Sequence, residues 1–189
     1  MASEVGRTKR LVRCGVLVDL VDPLHPFDQA VTRGYSDSHH PRHMIVLGVL
    51  FGSLIVFRLL GFIGVPVFQT WHESMIFALA VMFCFTAVAH FGPMRRDLER
   101  MVPPWVPNGR VAVFVTGILE IIGAVGLILP ETRTLAGVCL IVFLVAVFPA
   151  NVYAAKSGAR LGDRPITPLG VRGPMQLLFI ALIFWAISE

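Results

Sequence analysis

Charged side chains are scarce in this sequence. Asp, Glu, Lys and Arg make up 15% of its 189 residues, where a soluble domain averages about 25%. That is too little charge to coat a water-soluble globule, and the soluble classes are excluded on that ground. Cysteine is scarce too. Cys14, Cys84 and Cys139 show no CxxC and no paired spacing, which argues against a disulfide framework and a thioredoxin-like redox motif. There is no phosphate-cradling Gly-Lys loop, no zinc-protease histidine pair and no GxSxG, so the common nucleotide and hydrolase motifs are missing. A cleaved secretory signal is not expected either, because the first apolar run begins only at Met44.

Apolar residues fill the space that charge leaves. They account for 56% of the chain, and the mean hydropathy is +0.75. A membrane-spanning helix needs about 20 apolar residues to cross roughly 30 Å of hydrocarbon. Five segments meet that need: 44–65, 74–91, 111–129, 134–155 and 173–187. In lipid every backbone polar group must be satisfied internally, so these runs predict helices rather than strands. The expected fold class is all-α, an integral membrane helical bundle of five spans. The last span is expected to open at Gly173-Pro174, since proline suits the first turn of a helix.

Orientation follows from Lys and Arg. The tail carries Arg7, Lys9, Arg10, Arg13, Arg33 and Arg42. The second-to-third connection carries Arg95, Arg96, Arg100 and Arg110; the fourth-to-fifth carries Lys156, Arg160, Arg164 and Arg172. All fall on one side, and only Arg133 falls on the other. The positive-inside rule then places the N-terminus in the cytoplasm and the C-terminus outside. The pI near 9.4 is therefore read as a basic face toward anionic headgroups of the lipid bilayer, with no nucleic acid partner. Within the tail, 1–43, the stretch 11–21 reads as an interfacial helix or a docking strand. His39, His40 and His43 form the one metal-like cluster, but Pro41 interrupts it and no carboxylate has ligand spacing, so no metal is expected.

Glu120 is the residue that stands out. It lies midway along the third span, where a charge costs about 2.5–3.5 kcal/mol on insertion scales and normally faces a bundle interior, a cavity or a partner. Thr116, Glu120 and Gly123/Ala124 share one helix face, and its small residues favour close approach of a second helix. Glu120 is thus read either as a proton or ligand site or as a polar tie between helices. Arg58 is the natural ion-pair candidate. At 1.5 Å per residue Glu120 is about 14 Å deep and Arg58 about 21 Å. The alternative is that Arg58 snorkels outward past Gly61 and Gly64. His90 ends the second span, where an imidazole either relays protons or caps the helix. Asn151 and Gln176 lie toward the same boundary. Together with His90 they are expected to ring a polar vestibule above Glu120, unless Asn151 only repairs the ladder that Pro149 breaks. Cys84 and Cys139 lie inside spans, where they either meet between neighbouring helices or serve as inert small hydrophobes. Gly48 and Gly52 make a GxxxG, read as a helix-packing face.

The series His90-Phe91, Arg100-Met101-Val102-Pro103-Pro104-Trp105-Val106-Pro107, Thr116-Gly117 and Glu120 resembles the DoxX family of small bacterial membrane proteins. The likeness continues through Pro130-Glu131-Thr132-Arg133 and Val147-Phe148-Pro149-Ala150-Asn151-Val152-Tyr153, and closes with Pro174-Met175-Gln176-Leu177-Leu178. It covers about 75–187 and implies a four-helix membrane bundle over 74–189 in the bacterial inner membrane. The span at 44–68, with Arg58, would be an N-terminal addition. His90, Thr116, Glu120, Asn151 and Gln176 fall within matching motifs, so the resemblance implies one ligand site. The family takes its name from a thiosulfate:quinone oxidoreductase, and some relatives are linked to redox and thiol-stress systems. The expectation is a redox-associated subunit binding a quinone or similar amphiphile near Glu120, beside a redox partner subunit or a second copy. The lack of paired cysteines counts against direct dithiol chemistry. The alternatives are a non-enzymatic scaffold or lipid-binding subunit, and a small proton-coupled permease. No catalytic residue is assigned.

Overall fold

The structure, a computed structural model, describes residues 42–157, 160–161, 164–165 and 168–188. The readings made for the 11–21 stretch and for His39 and His40 lie outside them. Five helices are long and apolar enough to cross a membrane: α1 (Arg42–Phe62), α2 (Trp71–Phe91), α4 (Gly109–Ile128), α5 (Arg133–Lys156) and α6 (Leu169–Ile187). A short helix, α3 (Arg95–Met101), lies between α2 and α4. Strands β1 (Arg160–Leu161) and β2 (Arg164–Pro165) form a two-residue antiparallel pair between α5 and α6. The chain is a multi-pass helical membrane protein.

The connections alternate the helices up and down. Thr70 starts α2 by accepting from the Glu73 backbone N–H at 3.1 Å, and Asn108 starts α4 by accepting from Val111 N–H at 3.2 Å. Both side chains satisfy one of the free N–H groups that open any helix. Between α1 and α2 the chain reverses at Gly64, whose φ of +100° suits a residue without Cβ. A single 3-10 turn, Pro66–Phe68, follows.

α2, α4, α5 and α6 pack in sequence order, α6 closes back on α2, and α1 lies against α2. The shared core holds Leu50 and Leu54 of α1, Ile76, Leu79 and Met82 of α2, Ala124 and Leu127 of α4, Leu140 of α5, and Ile183 of α6. Lipid tails are as apolar as leucine, so the helices are held by close packing at small residues rather than by escape from water. Ala78, Ala80, Gly117, Gly123, Ala124 and Gly137 supply those close approaches. The large apolar side chains left outside, such as Phe62, Val88, Ile122 and Leu135, form a belt suited to hydrocarbon.

Three expectations are corrected. The fifth span begins at Leu169 with Pro168 as its cap, so Pro174 lies inside the helix and not in its first turn. Membrane helices tolerate interior proline where neighbours satisfy the freed backbone groups. The Gly48–Gly52 face packs against no other helix among the described residues: a Cβ at either glycine would meet none of their atoms within 4 Å. Cys84 and Cys139 are both free and exposed, because each points away from the seam that joins its helix to the next.

Candidate functional site

Glu120 lies in the α2–α4 seam and is 8% exposed. One turn of α4 separates it from Thr116, and the facing turn of α2 carries Thr86 and His90 at i, i+4. Four polar side chains therefore meet inside an apolar seam. Gly117 makes the approach possible: a Cβ there would come within 2.6 Å of the His90 Cβ and 2.8 Å of the Phe91 ring.

The hydrogen bonds assign the protons. His90 Nδ1 lies 2.9 Å from Val113 O. A carbonyl only accepts, so Nδ1 carries hydrogen in every protonation state. Thr116 Oγ1 donates to the same carbonyl at 2.9 Å and lies 3.0 Å from Nδ1, which pins the ring further. The titrating nitrogen is then Nε2, and it faces Glu120 Oε2 at 3.7 Å. Thr86 Oγ1 lies 3.1 Å from the same oxygen and 3.0 Å from Phe83 O. When Glu120 is ionised the Thr86 hydroxyl donates to it. When Glu120 is protonated, the hydroxyl turns to Phe83 O and offers a lone pair. Glu120 Oε1 has no hydrogen-bond partner among the described residues, yet it is not among the fully enclosed unpaired atoms. It keeps an acceptor position that no described protein group fills.

Asn151 and Gln176 sit elsewhere. Arg172 Nη1 donates to Asn151 Oδ1 at 3.0 Å, Asn151 Nδ2 lies 3.4 Å from Gln176 Oε1, and Gln176 Nε2 donates to Leu144 O. This network ties α5 to α6. No hydrogen bond or ion pair joins it to Glu120 among the described residues, so His90 and the Asn151–Gln176 pair are held by separate hydrogen-bond networks. Gln176 reaches Leu144 O from α6 while Asn151 points at Arg172; the carbonyl that Pro149 frees is the next one, that of Val145.

Arg58 does not pair with Glu120. Its Nη1 donates to Phe68 O at 2.8 Å, and its guanidinium lies over the rings of Phe62 at 4.9 Å and Trp71 at 4.7 Å. The side chain has run toward the α1–α2 turn, where the aromatic faces attract a cation. Its Nε is buried without a partner. At that same boundary Arg133 is bidentate on Glu73, at 3.2 and 3.3 Å, and its Nε donates to Leu127 O at 3.2 Å.

Thr86, Arg172 and Glu73 were missed in the sequence. A threonine one helical turn before His90 was a legible signal for the first of them. The others depend on contacts between helices.

Fold and site together define a polytopic helical membrane protein with a buried carboxylate–imidazole pair. More narrowly, the chain belongs to the family described as Domain of unknown function (DUF8561), whose model matches residues 79–188. That stretch contains the whole Glu120 cluster and leaves out α1 with Arg58. No curated protein and no solved structure matches the chain.

Proposed function

We propose that this protein is a redox-associated membrane subunit that binds a quinone or similar amphiphile at Glu120, with its basic face toward the cytoplasm of a bacterial cell. The likeness to DoxX proteins over 75–187 belongs to the same reading. One observation carries it. Glu120 Oε2 has partners that suit both of its protonation states, while Oε1 has no hydrogen-bond partner among the described residues. A protonated Glu120 can donate from Oε1 to a quinone carbonyl, and a proton on His90 Nε2 can then replace the one given up. Reducing a quinone to its quinol consumes two protons and two electrons. The pair passes protons one at a time, and a partner subunit supplies the electrons.

The remainder of the seam favours this over a proton-coupled permease. Beyond Glu120 it is filled by Ile76, Leu79, Ala124 and Leu127, all fully buried. That apolar packing offers no polar path onward from Glu120, whereas a permease needs access from both faces.

The test is mass spectrometry of what co-purifies with wild type, Glu120→Gln and His90→Phe, together with binding of a short-chain ubiquinone in liposomes. A stoichiometric quinone in wild type that is depleted in both variants supports the reading. Phospholipid alone, with ubiquinone binding unchanged across the three proteins, would leave a scaffold whose polar residues only tie helices.

A further inference from the structure

Between α5 and α6 lies an open groove of about 210 Å³, lined by Val145, Phe148, Gly173, Gln176, Leu177 and Ile180. Each wall carries an interior proline, Pro149 in α5 and Pro174 in α6. Proline removes an i−4 hydrogen bond and bends a helix away from its neighbour's line. Gly173 leaves its wall bare, with no atom within 4 Å of a built Cβ. The exposed surface of the groove is apolar.

The basic end of the groove is different. Arg172 stands one helical turn before the groove-lining Gln176 on the same helix face, and Asn151 links the two side chains by hydrogen bonds. Among the described residues only Nη1 of its guanidinium is bonded, to the neutral Asn151 amide oxygen. No carboxylate pairs with Arg172 among the described residues, and its remaining N–H groups have no protein acceptor there. An apolar slot that ends at an unneutralised guanidinium complements one kind of molecule.

We propose that this groove is a binding site for one anionic phospholipid, its acyl chain between α5 and α6 and its phosphate on Arg172. The proposal stands apart from the Glu120 reading and uses none of its residues. The chain itself contributes little selectivity, because moving a lipid tail from bilayer to groove exchanges one apolar contact for another. Discrimination comes from the head, where a guanidinium meets phosphate oxygens in a charge-assisted, two-pronged geometry.

The experiment is native mass spectrometry of the full chain released from nanodiscs of equimolar phosphatidylglycerol and phosphatidylcholine. Wild type should retain phosphatidylglycerol over phosphatidylcholine by about fivefold, the ratio that ~1 kcal/mol for one arginine near an anionic surface gives. Arg172→Gln should abolish the preference and Arg172→Lys should keep most of it. Leu177→Trp, at an exposed groove position, should lower retention of both lipids. Equal retention of the two lipids by wild type overturns the proposal, as does a preference that survives Arg172→Gln, which would assign it to the loop arginines. A dimer peak that Leu177→Trp removes would assign the groove to a second copy instead. If Arg172→Gln fails to fold, the wild-type preference and the Leu177→Trp loss still decide the matter.

Discussion

His90 turns Nε2 toward Glu120 Oε2 at 3.7 Å because its other ring nitrogen is held by Val113 O at 2.9 Å. One hydrogen bond thus selects which nitrogen can exchange a proton with the buried carboxylate. Ring orientation, tautomer and carboxylate contact are set together, and each follows from where α2 crosses α4.

Thr86→Val should remove the hydroxyl that serves both states of Glu120 while keeping side-chain volume. Polar side-chain bonds between membrane helices average about 0.6 kcal/mol, so thermal stability in detergent should drop only slightly. The carboxyl C=O band of Glu120, read by infrared difference spectroscopy against Glu120→Gln, should shift clearly. An unmoved band would mean that Thr86 is a bystander.

Gly117→Ala should be far worse than an ordinary Gly→Ala change in a helix. The added methyl meets the His90 Cβ at 2.6 Å and the Phe91 ring at 2.8 Å. Overpacking of this kind costs about 1–3 kcal/mol, visible as a lower melting temperature. Ubiquinone binding should fall with it, because His90 has to move. A variant as stable as wild type would show that the seam opens easily.

Glu73 and Arg133 should couple in a double-mutant cycle. Their bidentate contact spans α2 and α5, but Glu73 is 32% exposed at the side chain, so solvent screens the pair. A coupling of about 1 kcal/mol or less is expected, measured by unfolding Glu73→Gln, Arg133→Gln and the double variant. Zero coupling would assign the role of Arg133 to its Leu127 O bond alone.

Arg58→Met should leave stability unchanged or raised, whereas Arg58→Ala should lower it. Arg58 is 9% exposed, has no carboxylate among its partners in the described residues and leaves Nε unpaired. The side chain fills the space beside Phe62 and Trp71, which methionine refills and alanine does not. Equal losses in the two variants, by thermal melting, would show that the charge itself matters.

The five spans were readable because hydropathy needs only neighbours along the chain. Their ends were less so. Segment 173–187 was placed four residues late, since Pro174 looked like a start and the real stop, Pro168, stood before a less apolar turn. Glu120 was legible as a buried site from its position alone, and Thr116 and His90 from spacing and boundary. Asn151 and Gln176 were assigned to that site from their membrane side and from the motifs that resemble DoxX proteins, and neither ground specifies which helix face a side chain takes.

The sequence by itself determined an all-helical membrane protein, its five spans and the presence of a carboxylate inside one of them. Composition and run length decide those, through the cost of placing charge and unpaired backbone in hydrocarbon. Tertiary structure alone decided that Glu120 meets Thr86 and His90, that Arg58 turns to Phe68, Phe62 and Trp71, and that Arg133 finds Glu73. Partners on different helices depend on how far each helix is rotated and translated against the next, and packing of small residues at the seams sets that register.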